Sequence, residues 1–254
     1  RASPRRSERA CREECMVKPF INRAFKLKEV NNGIISYIIM ILTWYGQACF
    51  KIQSGDLAIA IDPFSKDIGL TPPRFRAALA LVTHGHYDHN NLDALSGEPF
   101  IISGPGEYEV AGVYVRGIKT FHDDANGKER GLNTIYMLTV EGITVVHFGD
   151  FGERTLREET LEEIGDADIA LVPVGGVYTI GAKEAATLVR KLEPRLAIPM
   201  HYKIPGLKIA LDPVEPFLKE MGAGAAIPQE KLVFKKKDRG EDEKVEIIVL
   251  KPGG

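Results

Sequence analysis

Three of the six histidines lie within six residues, in the segment His84-Gly85-His86-Tyr87-Asp88-His89. Imidazole nitrogens and carboxylate oxygens are ligands that zinc and similar divalent ions prefer. His84 and His86 are two residues apart after a predicted strand, so their rings can converge on one ion. Asp88 and His89, past the bend, can face a second ion beside it. The alternative is a His-rich surface loop that binds metal loosely.

Three further candidate ligands follow later predicted strands, namely His122, Asp150 and His201. Strand ends are where α/β folds usually assemble functional sites, and a loose surface loop does not predict this distribution. The pattern therefore favours a metal site. His147 is three residues before Asp150, a spacing that points the two side chains to opposite faces of a strand. We expect His147 to be a buried, hydrogen-bonded residue and not a ligand.

The candidate ligands must be positioned by the predicted secondary structure around them. The first part of the chain is predicted to form short strands, and the later part to mix strands with helices. Apolar runs predict strands over residues 41–44, 49–52, 57–61, 78–83, 99–103, 113–120, 133–140, 143–148, 169–174, 196–200, 232–234 and 245–250. Helical periodicity predicts helices over residues 155–164, 182–192 and 213–221. The last two strands are expected to pair, with the charge-rich residues 235–244 as their turn. Mixed strands and helices throughout favour a layered α/β architecture.

The first 39 residues lack clean periodicity and look like an extension. The chain opens with Arg, and Met40 directly precedes a strand-like run, so we expect residues 1–39 to be a tag or translated leader and residues 40–254 to be the domain. The alternative is a basic arm with a partner. The apolar run over residues 34–42 is about half the length of a membrane-spanning helix, and we interpret it as the entry into a buried strand.

Composition narrows the class of protein. The 254 residues are 44% hydrophobic and 27% charged, which is typical of a globular domain. Residues 1–39 hold nine Lys/Arg against four Asp/Glu, so the rest of the chain is acidic and nucleic acid is an unlikely partner for it. Three cysteines, two of them in the extension, form no disulfide framework and suit the cytoplasm.

The combination His-x-His-x-Asp-His after an apolar strand, followed by single His, Asp and His residues at strand ends, resembles the metallo-β-lactamase superfamily. The resemblance runs from about residue 41 to residue 250. The segments TWYGQACF (43–50), IDPF (61–64), HFGD (147–150) and PMHY (199–202) are similar to the ascorbate-6-phosphate-lactonase-like branch of metal-dependent hydrolases. The resemblance implies a four-layer αββα sandwich with metals at one rim between the sheets.

The resemblance also implies roles for individual residues. His84, His86 and His122 would hold one ion, Asp88, His89 and His201 a second, and Asp150 would bridge them. Asp62 matches the position whose carboxylate orients the metal loop from behind, and its alternative is a turn-forming Asp before Pro63. Gln47 stands where related sequences often have His, and an amide cannot shuttle protons, so an acid–base role at this position is in doubt.

Two divalent ions in such a site, zinc by default with Mn²⁺ or Fe²⁺ as alternatives, would share a bridging hydroxide as the nucleophile. The expected function is hydrolysis of an ester, lactone or phosphoester bond in a small, anionic substrate. Asp88 or Asp150 would accept the released proton. Tyr202 and Lys203 are candidate substrate contacts, with a packed Tyr and a solvated Lys as the alternatives, and the loop over residues 175–179 is expected near the same rim.

Other functions stay open at this point. A metal-dependent nuclease or phosphodiesterase uses the same ligands, and a non-catalytic metal-binding protein could retain them. A diiron redox protein is disfavoured, because such relatives typically have Glu where this chain has His86 and no flavin-binding domain follows. We expect a small-molecule substrate, no membrane partner, and a homo-oligomer as an open alternative.

Overall fold

The computed structural model describes residues 39–235 and 244–253. The extension predicted over residues 1–39 lies outside the described residues except for Ile39. The turn predicted over residues 235–244 also lies outside them, apart from its two end residues. Among the described residues, no helix is both long and apolar enough to cross a membrane.

Two β-sheets contain most of the regular structure. The first sheet consists of β1 Ile39–Gly46, β2 Cys49–Ser54, β3 Leu57–Ile61, β4 Leu79–Leu81, β5 Phe100–Ile102 and β12 Leu232–Lys235. The second consists of β6 Gly106–Val110, β7 Val113–Phe121, β8 Leu132–Val140, β9 Ile143–His147, β10 Ile169–Pro173, β11 Leu196–Met200 and β13 Glu246–Ile247. The strand orders are β12-β1-β2-β3-β4-β5 and β13-β11-β10-β9-β8-β7-β6.

The helices are α1 Glu158–Ile164, α2 Ala182–Leu192 and α3 Glu215–Glu220, with short 3₁₀ helices at Lys66–Ile68 and Leu92–Ala94. α2 packs against β10 and against α3. Its buried residues recur at helical spacing, which is the pattern that predicted this helix. Every residue of β10 and β11 is buried, as expected for parallel strands covered on both faces.

The hydrophobic core lies between the two sheets. Side chains of the first sheet such as Leu42 and Ile52 belong to the same buried cluster as Val115 and Leu138 of the second. Residues along β1 alternate between buried and more exposed, because one face of the strand meets this core and the other does not. These two mixed sheets and few helices form the α/β, αββα sandwich predicted from the sequence.

Strand direction explains why the candidate ligands meet. In the first sheet β1, β3 and β4 run parallel to one another, because β1 and β3 are each antiparallel to β2 and β3 pairs in parallel with β4. In the second, β7, β9 and β11 run parallel by the same reasoning through β8 and β10. The carboxyl ends of parallel strands lie at the same edge of a sheet, so each sheet delivers three loops to one rim.

One prediction about strands requires correction, and one strand was not predicted. The final strands do not pair: β12 joins the first sheet beside β1, whereas β13 joins the second beside β11. Apolar patterns identify a strand but not its neighbour, since pairing is decided by which sheet edge is open. β6 was not predicted, because it is a sheet edge with alternating exposed Glu residues that need no apolar run.

Candidate metal centre

The loop after β4 brings its histidines against a residue from the other sheet. The ring centroids of His84 and His86 are 4.6 Å apart, and that of His122 is 4.8 Å from His84 and 5.1 Å from His86. His122 directly follows β7. Three imidazoles from two sheets therefore converge, with one nitrogen of each within 4.8 Å of the others.

A second group lies beside the first and consists of Asp88, His89, Asp150 and His201. One donor atom from each of the four lies within 4.8 Å of the others. His201 directly follows β11, while Asp88 and His89 belong to the same loop as His84. The structure thus brings the seven candidate ligands together in two neighbouring groups, with Asp150 counted in the second.

Asp150 lies between the groups. Its Oδ2 is 3.2 Å from Nε2 of His122 and 3.9 Å from Nε2 of His84, both of the first group. The same oxygen is 3.3 Å from Nε2 of His89 and 3.2 Å from Nε2 of His201, both of the second group. A single carboxylate oxygen is therefore in reach of both groups.

Asp62 supports the loop from behind. It directly follows β3 and is fully buried, and its Oδ2 accepts hydrogen bonds from Thr83 Oγ1 at 2.7 Å and from His89 Nδ1 at 2.9 Å. Its Oδ1 accepts one from the Thr83 backbone N–H at 2.8 Å. With the proton of His89 on Nδ1, the lone pair of Nε2 is free to bind a cation. Thr83 Oγ1 also contacts His84 Nδ1 at 3.0 Å, which sets that ring in the same way.

Asn133 on β8 fixes the turn that carries Asp150. Its Oδ1 accepts a hydrogen bond from the Asp150 backbone N–H, and its Nδ2 donates to the Phe148 carbonyl oxygen, both at 2.9 Å. Gly149 between them has φ +56°, and a Cβ added there would lie 2.4 Å from Asn133 Oδ1. The turn therefore requires a glycine for both conformation and space.

Gln47 lies in the turn between β1 and β2 and is fully buried. Its Nε2 is 2.9 Å from Asp88 Oδ2, to which it donates, and 2.9 Å from His201 Nε2. Its backbone oxygen accepts hydrogen bonds from Trp44 Nε1 and from the His201 backbone N–H, both at 2.9 Å. Gln47 therefore contacts two residues of the second group and is held rigidly beside them.

The unsatisfied atoms of the rim fit cations. Six buried side-chain atoms here have no hydrogen-bond partner among the described residues: Gln47 Oε1, His84 Nε2, His89 Nε2, His122 Nδ1, Asp150 Oδ1 and His201 Nδ1. Buried polar atoms normally have partners, so such a cluster indicates a site suited to binding cations. Nitrogen and oxygen lone pairs in this number are a donor set for divalent ions.

The pKa values of His84, His86 and Asp150 are shifted towards the forms that bind metal, whereas the carboxylates of Asp150 and Asp62 raise the pKa of His89 although burial opposes this. Burial, aided by the nearby His89, lowers the pKa of His84 to about 3, so its imidazole is neutral at physiological pH. Burial and His122 also lower the pKa of His86. Burial opposes ionisation of Asp150, but His201 and His89 beside it hold the pKa of this carboxyl well below its ordinary value. Neutral imidazoles and an ionised carboxylate are the forms that bind metal.

His147 lies apart from these groups, as predicted. It is fully buried, its Nε2 is 2.8 Å from the Ala48 carbonyl oxygen, and its Nδ1 accepts a hydrogen bond from the Gly149 backbone N–H at 3.0 Å. Burial lowers its pKa, so the ring is neutral. Both nitrogens have partners, and the prediction of a buried, hydrogen-bonded residue is confirmed.

A cavity of about 560 Å³ opens onto the ligands. Five of the ligand residues line it, together with Asp67, Ile68, Tyr87, Arg130, Tyr178, Lys208, Ile209 and Ala210. Tyr178 comes from the loop over residues 175–179, which lies near the rim as expected. Neither Tyr202 nor Lys203 lines this cavity. Tyr202 is buried with its ring centroid 5.0 Å from that of Trp44, so the packed-Tyr alternative describes its position, and Lys203 is exposed.

Sequence reasoning missed several residues of this region, namely Thr83, Asp123, Arg130, Asn133 and Lys208. Thr83 had a signal, since it directly precedes His84 at the end of a predicted strand. Asp123 likewise follows His122 directly. The other three stand in loops or in a strand with no motif, and only their positions in space connect them with the ligands.

The fold and the paired ligand groups define a class of protein. The chain matches the family model described as the beta-lactamase superfamily domain over residues 41–201, which contains all seven candidate ligands. The chain therefore belongs to the β-lactamase superfamily, and it is a metal-dependent hydrolase of that superfamily.

Relatives narrow the family further. The chain is 32% identical to the UPF0173 metal-dependent hydrolase of Thermococcus onnurineus over 82% of this chain and 95% of that protein. It is 30% identical to the corresponding protein of Pyrococcus furiosus over 84% of this chain and 96% of that one. A crystal structure from Thermotoga maritima, assigned as a Zn-dependent hydrolase of the metallo-β-lactamase superfamily, is 34% identical with a TM-score of 0.66 and covers 84% of this chain and all of that chain. The chain belongs to the UPF0173 metal-dependent hydrolases.

Proposed function

We propose that this hydrolase works with two divalent ions and cleaves an ester, lactone or phosphoester bond in a small, anionic substrate. The observation that carries the proposal is the position of Asp150 Oδ2, within 4 Å of Nε2 of two histidines from each ligand group. A carboxylate that served one ion would have no reason to lie between the two groups. We therefore assign Asp150 as the bridging ligand.

When bound, two such ions would lower the pKa of a shared water towards about 7 and polarise the oxygen of the scissile bond. The residues of the chain then have two tasks. The seven ligands set where the ions sit, and their partners Asp62, Asn133 and Gln47 keep these ligands from moving. The cavity in front of them admits a small molecule, as its volume of about 560 Å³ is within the usual range of ligand sites.

Proton transfer falls to the carboxylates. Asp88 lines the cavity, and its Oδ2 is held by Gln47 Nε2 at 2.9 Å. Asp150 is almost completely buried and surrounded by four histidines, so it is poorly placed to exchange protons with solvent. We assign Asp88 to accept the proton released in the reaction, with Asp150 as the alternative. Gln47 orients Asp88, but its amide side chain does not gain or lose a proton at neutral pH.

Zinc is the ion we propose, with Mn²⁺ or Fe²⁺ as alternatives. Five of the seven ligands are imidazoles, which suit Zn²⁺ better than the harder Mg²⁺ or Ca²⁺. A lactonase-like activity is the substrate class that the motifs around Gln47, Asp62, Asp150 and His201 favour, since those segments are similar to that branch of the superfamily.

Metal content tests the two-ion assignment. Elemental analysis of the full chain, purified without an affinity tag, should give about two ions per chain, and Asp150→Ala should lose most of both. Asp93→Ala is the control, because Asp93 is exposed, lies on a short 3₁₀ helix and neither belongs to the ligand groups nor lines the cavity. One ion or none in the unaltered protein, unchanged by Asp150→Ala after metal is added back, would show that the assignment is wrong.

Turnover tests the reaction class. The protein and its His86→Ala variant should be assayed on p-nitrophenyl esters, on lactones, on bis-p-nitrophenyl phosphate and on labelled single-stranded RNA. We expect metal-dependent hydrolysis of esters or lactones that the variant loses by at least a hundredfold. Cleavage of RNA alone would replace the proposal with the nuclease alternative, and no turnover on any substrate would favour a non-catalytic binding protein.

A further inference from the structure

We propose that Arg130 and Lys208 form an anion-binding subsite beside the candidate metal centre, which recognises a carboxylate or phosphate group of the substrate apart from the scissile bond. This inference rests on the proposed function, because it concerns the substrate of the same site. It names the residues that select an anionic substrate and replaces Tyr202 and Lys203 in that role.

The first argument is location. Arg130 comes from the loop between β7 and β8, and Lys208 from the loop between β11 and α3, yet both line the cavity that contains the ligand residues. They are its two Lys or Arg side chains. Asp67 is the acidic residue of the lining besides the ligands, and its carboxylate already accepts a hydrogen bond from Ser65 Oγ at 2.9 Å.

The second argument is that Arg130 keeps its donors available. Its side chain is 33% exposed, and its guanidinium lies 5.6 Å from the ring centroid of Tyr178, which holds it at the cavity wall. Its ion pair with Glu129 is long, at 3.6 Å, and Glu129 is two-thirds exposed. Such a surface pair contributes little, so it does not compete strongly with a ligand.

The third argument is that the loop bearing Arg130 is preformed. Asp123, 3% exposed, accepts four backbone hydrogen bonds at 2.7–3.0 Å: Oδ1 from the N–H groups of Ala125 and Gly127, and Oδ2 from those of Glu129 and Arg130. A loop held by four hydrogen bonds loses little conformational entropy when a ligand binds.

Lys208 completes the subsite from the opposite loop. Its backbone N–H donates to the Ile68 carbonyl oxygen at 2.8 Å, which fixes where the side chain begins. Its exposed ammonium forms no ion pair with any residue that the structure describes. The planar guanidinium of Arg130 can donate two parallel hydrogen bonds to a carboxylate or phosphate, and the flexible ammonium of Lys208 can add a point charge beside it.

The fourth argument is charge balance. The ligand groups contain two carboxylates, which neutralise only half of the charge of two divalent ions. Arg130 and Lys208 then add positive charge to a cavity that already has an excess of it. Placing cations together is unfavourable unless an anion joins them, so the cavity attracts anionic small molecules.

The test compares matched pairs of substrates. For a carboxylate, mono-p-nitrophenyl glutarate is compared with p-nitrophenyl pentanoate, and for a phosphate, 6-phosphogluconolactone with glucono-δ-lactone. Each is assayed with the unaltered protein, Arg130→Gln and Lys208→Gln. Lys219→Gln, an exposed residue of α3, is the control that removes the same charge elsewhere.

We expect KM for the anionic member of one pair to rise about tenfold in Arg130→Gln and about threefold in Lys208→Gln, with the neutral member and the metal content unchanged. The pair that responds identifies the anion. Equal KM changes for anionic and neutral members would overturn the subsite while leaving the hydrolase proposal intact.

A binding measurement separates failure of the subsite from failure of the hydrolase proposal. Glutarate and inorganic phosphate are titrated calorimetrically into the metal-loaded protein, so the result does not depend on turnover. Binding of either anion that weakens at least fivefold in Arg130→Gln, but not in Lys219→Gln, supports the subsite even if no ester is cleaved. No binding by the unaltered protein, or binding that neither cavity variant changes, refutes it.

Discussion

The carboxylate of Asp62 and the imidazole of His89 are 27 residues apart in sequence, yet Oδ2 of Asp62 lies 2.9 Å from Nδ1 of His89 in a fully buried contact. The same carboxylate also accepts two hydrogen bonds from Thr83. Asp62 thus holds the two ends of the metal loop together, because Thr83 contacts His84 and His89 closes the loop. Its effect on metal binding is transmitted through these partners.

Replacing Asp62 with Ala should weaken metal binding by about 10–100-fold. His89 Nδ1 loses the acceptor that orients its ring, and Thr83, whose hydroxyl contacts His84 Nδ1, loses the acceptor that holds it in place. Competition against a chromogenic chelator measures this change. Asp56→Ala, at an exposed turn, is the control and should bind as the unaltered protein does. Normal affinity in the Asp62 variant would mean that packing alone orients the rings.

Gly149→Ala should destabilise the protein more than Gly55→Ala. The two glycines have nearly the same φ, +56° and +55°, so both substitutions place Ala in the left-handed region at about 1 kcal/mol. At Gly55 an added Cβ meets nothing within 4 Å, whereas at Gly149 it meets Asn133 Oδ1 and Thr83 Cβ at 2.4 and 2.8 Å. We expect an extra loss of about 1–3 kcal/mol in the free energy of unfolding for Gly149→Ala, because of overpacking.

Urea unfolding measures this difference, and elemental analysis of the same samples measures its effect on the site. Gly149→Ala should also lose metal, because its Cβ displaces the turn that carries Asp150. Equal destabilisation of the two variants would show that the turn can move aside without cost.

Removing metal should lower the thermal midpoint. Ions held by the seven candidate ligands would stabilise only the folded state, and a ligand at 1,000 times its Kd contributes about 4 kcal/mol. For a domain of this size that corresponds to a shift of roughly 8–16 °C. Calorimetry with and without a chelator measures it. The Asp150→Ala variant should show almost no chelator effect, and an equal shift in that variant would place the stabilising ion elsewhere.

Tyr202→Phe and Lys203→Gln should leave KM unchanged for every substrate. Tyr202 packs against Trp44, and neither side chain lines the cavity. Tyr202→Ala, by contrast, should destabilise the protein by about 3 kcal/mol or more, through the loss of a buried ring. Steady-state kinetics and urea unfolding separate the two effects. A selective rise in KM for anionic substrates in Lys203→Gln would show that Lys203 contacts the anionic group of the substrate.

The sequence by itself was enough to predict the architecture and to select the seven candidate ligands that the structure brings together. Seven His and Asp residues lie at one loop and three predicted strand ends, and the resemblance to the metallo-β-lactamase superfamily implied that they form two groups at one rim. The spacing of His147 from Asp150 excluded His147 from these groups. Periodicity predicted the core strands and helices, since burial on one face produces the pattern directly. Strands and helices can be predicted because their patterns are local in sequence, and the candidate ligands can be selected because their motif is specific to one kind of site.

Tertiary structure decided the rest. Asn133 supports Asp150 only because β8 lies beside β9 in the sheet, and Arg130 and Lys208 share a cavity only because loops from the two halves of the chain meet. No spacing in the sequence encodes those distances. The neighbours of β12 and β13 likewise depended on which sheet edges stayed open, and β6, polar at an edge, gave no apolar signal. Tyr202 directly follows the candidate ligand His201, yet its ring packs against Trp44, because a large ring is stabilised more by packing than by facing a polar cavity.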